Sequence, residues 1–256
     1  MKVLASDYDG TLFINNKFNK ETSLALKRWR MAGHRFGIVT GRDLRMTREV
    51  ILEHGLKVDF AICNNGCVLY DGNLKKLHSS FLSPELVDQL IHSEAIRKSC
   101  YIVLADEHGR YVYDNDYRHE KYEHVYYTEV LNQNNIKDHV HFYQMDTRYS
   151  DAKEMHEVKE MLEQEIGNLV TINPNVSTID ITPLGVTKLT GLQRYLQLEG
   201  LEKEEIITVG DGLNDLSMIL HYGGYTMMSA VPEIKEKVGK VVESVEELIE
   251  WELSPQ

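Results

Sequence analysis

The chain opens with Val3-Leu4-Ala5, a short apolar run of the kind that forms a buried strand. It leads into Ser6-Asp7-Tyr8-Asp9-Gly10-Thr11-Leu12, where Gly10 and Thr11 supply turn chemistry. Glu21 to Ala32 has helix-favouring composition and stops at Gly33, a good residue just past a helix end. Arg35 to Val39 reads as a second strand ending at Thr40-Gly41-Arg42, and Asp43 to His54 as a helix closed by Gly55. Asp59 to Cys63 reads as a third strand, running into Asn64-Asn65-Gly66. Strand, helix, strand, helix, strand is the order of a parallel sheet covered by helices. A hairpin follows, Val68-Leu69-Tyr70 and Leu74 to Leu77 about the turn Asp71-Gly72-Asn73.

The texture then changes. Ser83-Pro84 is a helix start, with Leu86, Val87, Leu90, Ile91 and Ala95 on one face. Tyr101 to Leu104 and Tyr111 to Tyr113 read as strands joined across Glu107-His108-Gly109-Arg110. From 114 to 150 the chain is polar, rich in Tyr, His and Asn, and its pattern places no element. Asp151 to Ile166 is an amphipathic helix with Met155, Val158, Leu162 and Ile166 in register, followed by strand-like Leu169 to Ile172 and Thr178 to Ile181. This block predicts a separate inserted α+β domain over 81–182. Alternation resumes with a helix from Thr187 through Leu198, a strand Ile206 to Val209 and the loop Gly210-Asp211-Gly212-Leu213-Asn214-Asp215. A helix, a strand from Tyr225 to Met228, a helix from Pro232 and a last helix, Val245 to Glu250, close the chain. The expected fold is α/β, a Rossmann-like doubly wound parallel sheet formed by 1–80 and 183–256 around the insertion.

Composition narrows the function classes. At 42% hydrophobic and 27% charged over 256 residues, the chain is of ordinary globular type. A net charge of −12 without a Lys/Arg block excludes nucleic acid as an expected partner. It also means that a phosphate-bearing ligand needs a metal or a few placed cations. No apolar run approaches the roughly 20 residues of a membrane span, and the N-terminus lacks a signal peptide's apolar core. Cys63, Cys67 and Cys100 show no metal-type spacing, and reduced thiols in a cytoplasmic protein are the simplest expectation.

The candidate chemistry sits where predicted strands end. In an extended backbone Asp7 and Asp9 would share a face, and a cation beside them would relieve their repulsion. Asp-x-Asp could equally be a solvated turn, Thr40-Gly41 a capped turn, and Lys188 a surface lysine at a helix start. Gly210-Asp211-Gly212 lacks the third glycine of a dinucleotide fingerprint, and there is no P-loop. Acidic residues in strand–loop positions do suit Mg²⁺ with phosphate, because Mg²⁺ takes few carboxylates and completes its shell with water and substrate oxygens.

In chain order, DYDGTL (7–12), VTGR (39–42), the lysine of GVTK (185–188) and GDGLNDLSM (210–218) resemble the four motifs of the haloacid dehalogenase (HAD) superfamily of phosphotransferases. The NNG after the third strand and the position of the insertion make the chain similar to the Cof-type subfamily with a class IIB cap. The resemblance covers the whole core and the position of the cap; the cap's own sequence matches only in length and texture. It implies Asp7 as nucleophile, Asp9 as general acid and then general base, and Mg²⁺ held by the Asp7 and Asp211 carboxylates and the Asp9 carbonyl. It further implies phosphate held by Thr40, the Gly41 amide, Asn214 and Lys188, with Asp215 orienting the metal site or Lys188. Arg42 is a possible substrate contact. Met228-Ser229-Ala230 departs from the Gly-Asn-Ala usual in such proteins.

The activity implied is Mg²⁺-dependent hydrolysis of a small phosphorylated metabolite, a sugar phosphate among the options, through an aspartyl-phosphate. A phosphomutase and a non-catalytic sensor of a phosphorylated ligand are the alternatives. The insertion holds nine of the 14 tyrosines and seven of the 11 histidines. That suits a polar-aromatic substrate surface, though tyrosine is also ordinary strand composition.

Overall fold

A strand buried on both faces needs side chains on both that tolerate burial. Lys2–Ser6 (β1) meets that condition, with Val3, Leu4, Ala5 and Ser6 all inaccessible. The computed structural model describes residues 1–15, 17–114, 127–202 and 204–254. Two units result, Met1–His78 with Lys188–Gln256, and Ser79–Thr187.

The first stretch continues with Phe13–Ile14 (β2), Lys17–Phe18 (β3), Lys20–Met31 (α1), Arg35–Val39 (β4) and Leu44–Glu53 (α2). Phe60–Cys63 (β5), Val68–Asp71 (β6) and Lys76–Ser79 (β7) complete it. The insertion contains Pro84–His92 (α3), Glu94–Arg97 (α4), Tyr101–Ala105 (β8), Arg110–Tyr113 (β9), Glu129–Leu131 (β10) and Gln144–Arg148 (β11). It ends with Ala152–Ile166 (α5), Val170–Asn175 (β12) and Thr178–Pro183 (β13). The last stretch holds Lys188–Leu198 (α6), Glu205–Gly210 (β14), Leu216–Tyr222 (α7), Tyr225–Met227 (β15), Pro232–Val238 (α8), Val241–Val242 (β16) and Val245–Leu253 (α9).

In the first unit the sheet order is β16-β15-β14-β1-β4-β5-β6-β7. Neighbours from β16 to β5 run parallel, and β6 turns back antiparallel to β5. Leu4, Ile38 and Val209 pack on one face against Trp29 of α1, Val50 of α2 and Leu248 of α9. Val3, Ala5 and Ile62 pack on the other against Leu192 and Leu196 of α6 and Met218 of α7. The sheet is therefore covered on both sides, the doubly wound arrangement expected from the sequence.

Register decides what this does for function. Ser6 lies opposite both Val209 and Ile38, so Asp7, one step beyond the end of β1, is level with the last residues of both neighbouring strands, Gly210 of β14 and Val39 of β4. Its amide still donates to the Val209 carbonyl (2.9 Å), and that of Thr40 to the Ile62 carbonyl (2.8 Å). Residues from sequence-distant loops are thereby gathered along one edge of the sheet.

The inserted unit has the sheet order β10-β9-β8-β11-β13-β12, with α3, α4 and α5 on one face over Leu104, Met145, Ile179 and Ile181. Ser83 caps α3 through Leu86 N, as the Ser-Pro pair predicts. The helix does not carry on to Ala95, however: Ser93 is extended (φ −61°, ψ 137°), and α4 restarts at Glu94. β11 escapes the hydrophobic pattern because Gln144 and Asp146, polar and alternating with Met145 and Thr147, are buried as well. Part of the Tyr/His-rich stretch, 115–126, lies outside the described residues. Among those described, no helix is long and apolar enough to cross a membrane.

Candidate active site

Lys188 opens α6 and is buried to 1% exposure. A lysine so placed must be paired, and its Nζ donates to Asp7 Oδ1 and to Asp215 Oδ1, both at 2.7 Å. Asp7 and Asp215 are themselves buried. The second Asp215 oxygen, Oδ2, accepts from the Gly212 amide (2.9 Å), which fixes that carboxylate within its own loop. Asp211 is held by the Thr11 hydroxyl, which donates to its Oδ1 at 3.1 Å. Carboxylate oxygens of Asp7, Asp211 and Asp215 all lie within 4.8 Å of one another.

Two glycines make this closeness possible. A Cβ on Gly10 would sit 2.1 Å from Asp211 Oδ2, and Gly10 is left-handed (φ +78°). A Cβ on Gly210 would sit 2.4 Å from the Asp215 carboxyl carbon. The glycines beside the aspartates thus leave room for neighbouring carboxylates.

Three carboxylates share one ammonium, and the ionisation equilibria show it. Burial pushes Asp7 well above the usual carboxylate range; Lys188 pulls it down, while Asp215 and Asp211 push it further up. Asp211 is pushed up to about 6, first by burial and then by the Asp215 charge. Burial alone would lower Lys188, but Asp215 and Asp7 outweigh it and the ammonium is held more tightly than usual. Hard oxygen donors, close-set and carrying excess negative charge, fit a small divalent cation. The donor set suits Mg²⁺, and neutralising it would relieve the repulsion that raises Asp211.

Asp9 lies elsewhere. β1 ends at Ser6, so strand alternation does not extend to Asp9, and its side chain is 54% exposed. Its two oxygens accept from Nε and Nη2 of Arg42 at 2.7 and 2.6 Å. Thr40 is buried and its hydroxyl accepts from the Arg42 amide (3.2 Å), so the Thr40-Gly41-Arg42 loop is internally braced. Asn214 donates to Asn65 Oδ1 (3.0 Å), tying the loop after β14 to the loop after β5. Met228 and Ser229 are exposed, beyond the end of β15. Sequence reasoning left out Thr11, Asn65 and Tyr8. All three stand inside the DYDGTL and NNG strings, but nothing in a string says which side chains will touch.

Residues 4–248 match the profile of haloacid dehalogenase-like hydrolases. The chain belongs to that family. The match agrees with the Cof-type branch expected from the sequence. It is 26% identical over 230 residues to 5-amino-6-(5-phospho-D-ribitylamino)uracil phosphatase YbjI of Escherichia coli (strain K12), covering 87% of this chain and 83% of that one. To HMP-PP phosphatase of Klebsiella pneumoniae (strain 342) it is 24% identical, covering 93% and 88%. In fold it resembles the HAD subclass IIB sugar phosphatase BT4131, with a TM-score of 0.76, 21% identity and 98% of each chain covered. The enzyme class, phosphoric monoester hydrolase, agrees with these relatives.

Proposed function

We propose that the protein is a Mg²⁺-dependent hydrolase of small phosphorylated metabolites, working through an aspartyl-phosphate on Asp7. The observation that carries the reading is the contact of Lys188 with Asp7 and Asp215 at 2.7 Å, beside Asp211. The named relatives, which act on a phosphorylated ribitylaminouracil and on HMP-PP, support a small-metabolite substrate. Sugar phosphates are the first class to test.

In this reading an Asp7 oxygen attacks phosphorus in line with the departing alkoxide. Lys188 orients Asp7, favours its ionised form against the burial that opposes it, and meets charge that builds on the phosphoryl oxygens. Thr40, the Gly41 amide and Asn214 position the phosphoryl group, and Asp9 gives a proton to the alkoxide, then takes one from the hydrolytic water. Mg²⁺, held by Asp7, Asp211 and the Asp9 carbonyl, would screen the nucleophile from the phosphate it approaches. Asp215, engaged by Lys188 and Gly212, acts by orienting Lys188. The inserted unit selects the leaving group.

The test is phosphate release from a panel of sugar phosphates and other small phosphorylated metabolites, with Mg²⁺ and with chelator, against Asp7→Asn. Turnover that needs Mg²⁺ and vanishes in the variant supports the reading. Release unaffected by chelator, or undiminished in Asp7→Asn, refutes it.

A further inference from the structure

The pairing of Asp9 with Arg42 is built with more than charge. The guanidinium lies over the Tyr8 ring, 4.7 Å from its centroid. Tyr8 is buried, stacks on Phe13 at 5.5 Å, and its hydroxyl is 3.1 Å from His54 Nε2. The His54 ring in turn stacks on Phe18 at 4.5 Å. The Arg42 backbone is fixed at both ends, its amide donating to Thr40 Oγ1 and its carbonyl accepting from the Asn64 amide (2.9 Å). An ion pair whose carboxylate is half in water contributes little to stability. What this construction does supply is direction: a planar fork sets the plane of a carboxylate as well as its place.

We propose that Arg42 is a positioning residue for Asp9 in the hydrolytic half of the reaction, an inference that rests on the acid/base reading of Asp9 given above. Both Asp9 oxygens accept from the fork, so the group is presented as an acceptor, the state it reaches once its proton has gone to the leaving group. In the hydrolytic half a water oxygen bonds to phosphorus. The bond from phosphorus to Asp7 breaks, and its electron pair returns to the Asp7 carboxylate. The water proton passes to Asp9, and inorganic phosphate leaves. A carboxylate of fixed orientation lines up that water, and a freely turning one does so only part of the time. Arg42 therefore serves the site through Asp9.

The experiment mixes p-nitrophenyl phosphate rapidly with the full-length protein and Mg²⁺, following p-nitrophenolate and phosphate separately. Wild type, Arg42→Ala and Arg42→Lys are compared, with folding checked by fluorescence. Nitrophenolate leaves without a proton, so the first half-reaction does not need an acid. In Arg42→Ala the first phase should stay within about threefold of wild type, while steady-state phosphate release falls at least about tenfold, a share of what a general base provides. A nitrophenolate burst near one equivalent per chain should accompany it. Free guanidinium should restore part of the steady rate, and Arg42→Lys, which has no fork, should restore little. Equal slowing of both phases, an unchanged or faster steady rate in Arg42→Ala, or an Arg42→Lys indistinguishable from wild type would overturn the proposal. A wild type that releases no phosphate above the Asp7→Asn background would instead remove the phosphatase reading itself, and this inference with it.

Discussion

Replacing Asp211 by asparagine should make the metal-free protein more stable while removing its response to Mg²⁺. The shape of the site hardly changes, since an asparagine oxygen can still accept from Thr11 and the side chain still fits against Gly10. What goes is a third negative charge facing Asp7 and Asp215. Asp211 sits at about 6 in the fold against an ordinary 3.8, which corresponds to a penalty of about 3 kcal/mol on its charged form. Because the native state binds the proton more tightly, native protein carries more protons than unfolded between those two values. Stability of the wild type therefore falls as pH rises through that window, and the full penalty stands above about pH 6. At pH 7.5 in chelator, Asp211→Asn should gain about 2–3 kcal/mol, or roughly 5–10 °C in melting temperature. The gain should shrink toward zero near pH 4. Tryptophan fluorescence is the assay, because Trp29 and Trp251, the chain's two tryptophans, both lie in the unit that holds the site. Mg²⁺ should raise the wild-type melting temperature by mass action and leave the variant nearly unmoved. A variant equal to or less stable than wild type at pH 7.5, or a gain of the same size at pH 4, would refute the account of a carboxylate penalised by burial and by the neighbouring Asp215 charge.

Three further outcomes follow from the same geometry. Lys188→Met leaves two buried carboxylates facing each other and should cost about 3–5 kcal/mol in urea unfolding, with turnover lost; a loss under 1 kcal/mol would show the pair to be solvated. Gly10→Ala puts a Cβ into Asp211 at a left-handed position, and should destabilise by about 1–3 kcal/mol and raise the Mg²⁺ needed for half-maximal activity. In the inserted unit Arg110 donates to Asp146 at 2.6 Å with both side chains largely buried. Arg110→Met should therefore cost about 3 kcal/mol, and Asp146→Asn in addition should restore most of it in a double-mutant cycle followed by circular dichroism.

Much of the core was legible in order. Arg35 to Val39 forms the strand its pattern predicts, Ser83 caps the helix it announces, and the amphipathic run before Gly167 forms α5. These features depend on neighbours in sequence, which is why they can be read there. β2 and β3 could not be read, because two-residue strands carry no period. β11 was hidden because a polar pair, Gln144 and Asp146, is buried beside its apolar residues.

The sequence alone determined which chemical groups are available, and the strand–loop rhythm that sets them at strand ends. Tertiary structure decided how those groups pair. Asp7 and Asp9 are two residues apart, yet one is buried against Lys188 and the other faces Arg42 in partial contact with water. The physical reason is that β1 stops at Ser6, so the alternation that would have aligned them ends before it reaches either. Taken alone Lys188 reads as a surface lysine, and only the motif around it marks it as a site residue; it is the fold that buries it and sets two carboxylates 208 positions apart in the chain against its ammonium. Spacing along a chain constrains local direction, whereas charge pairing is settled by which loops the sheet register brings to one edge.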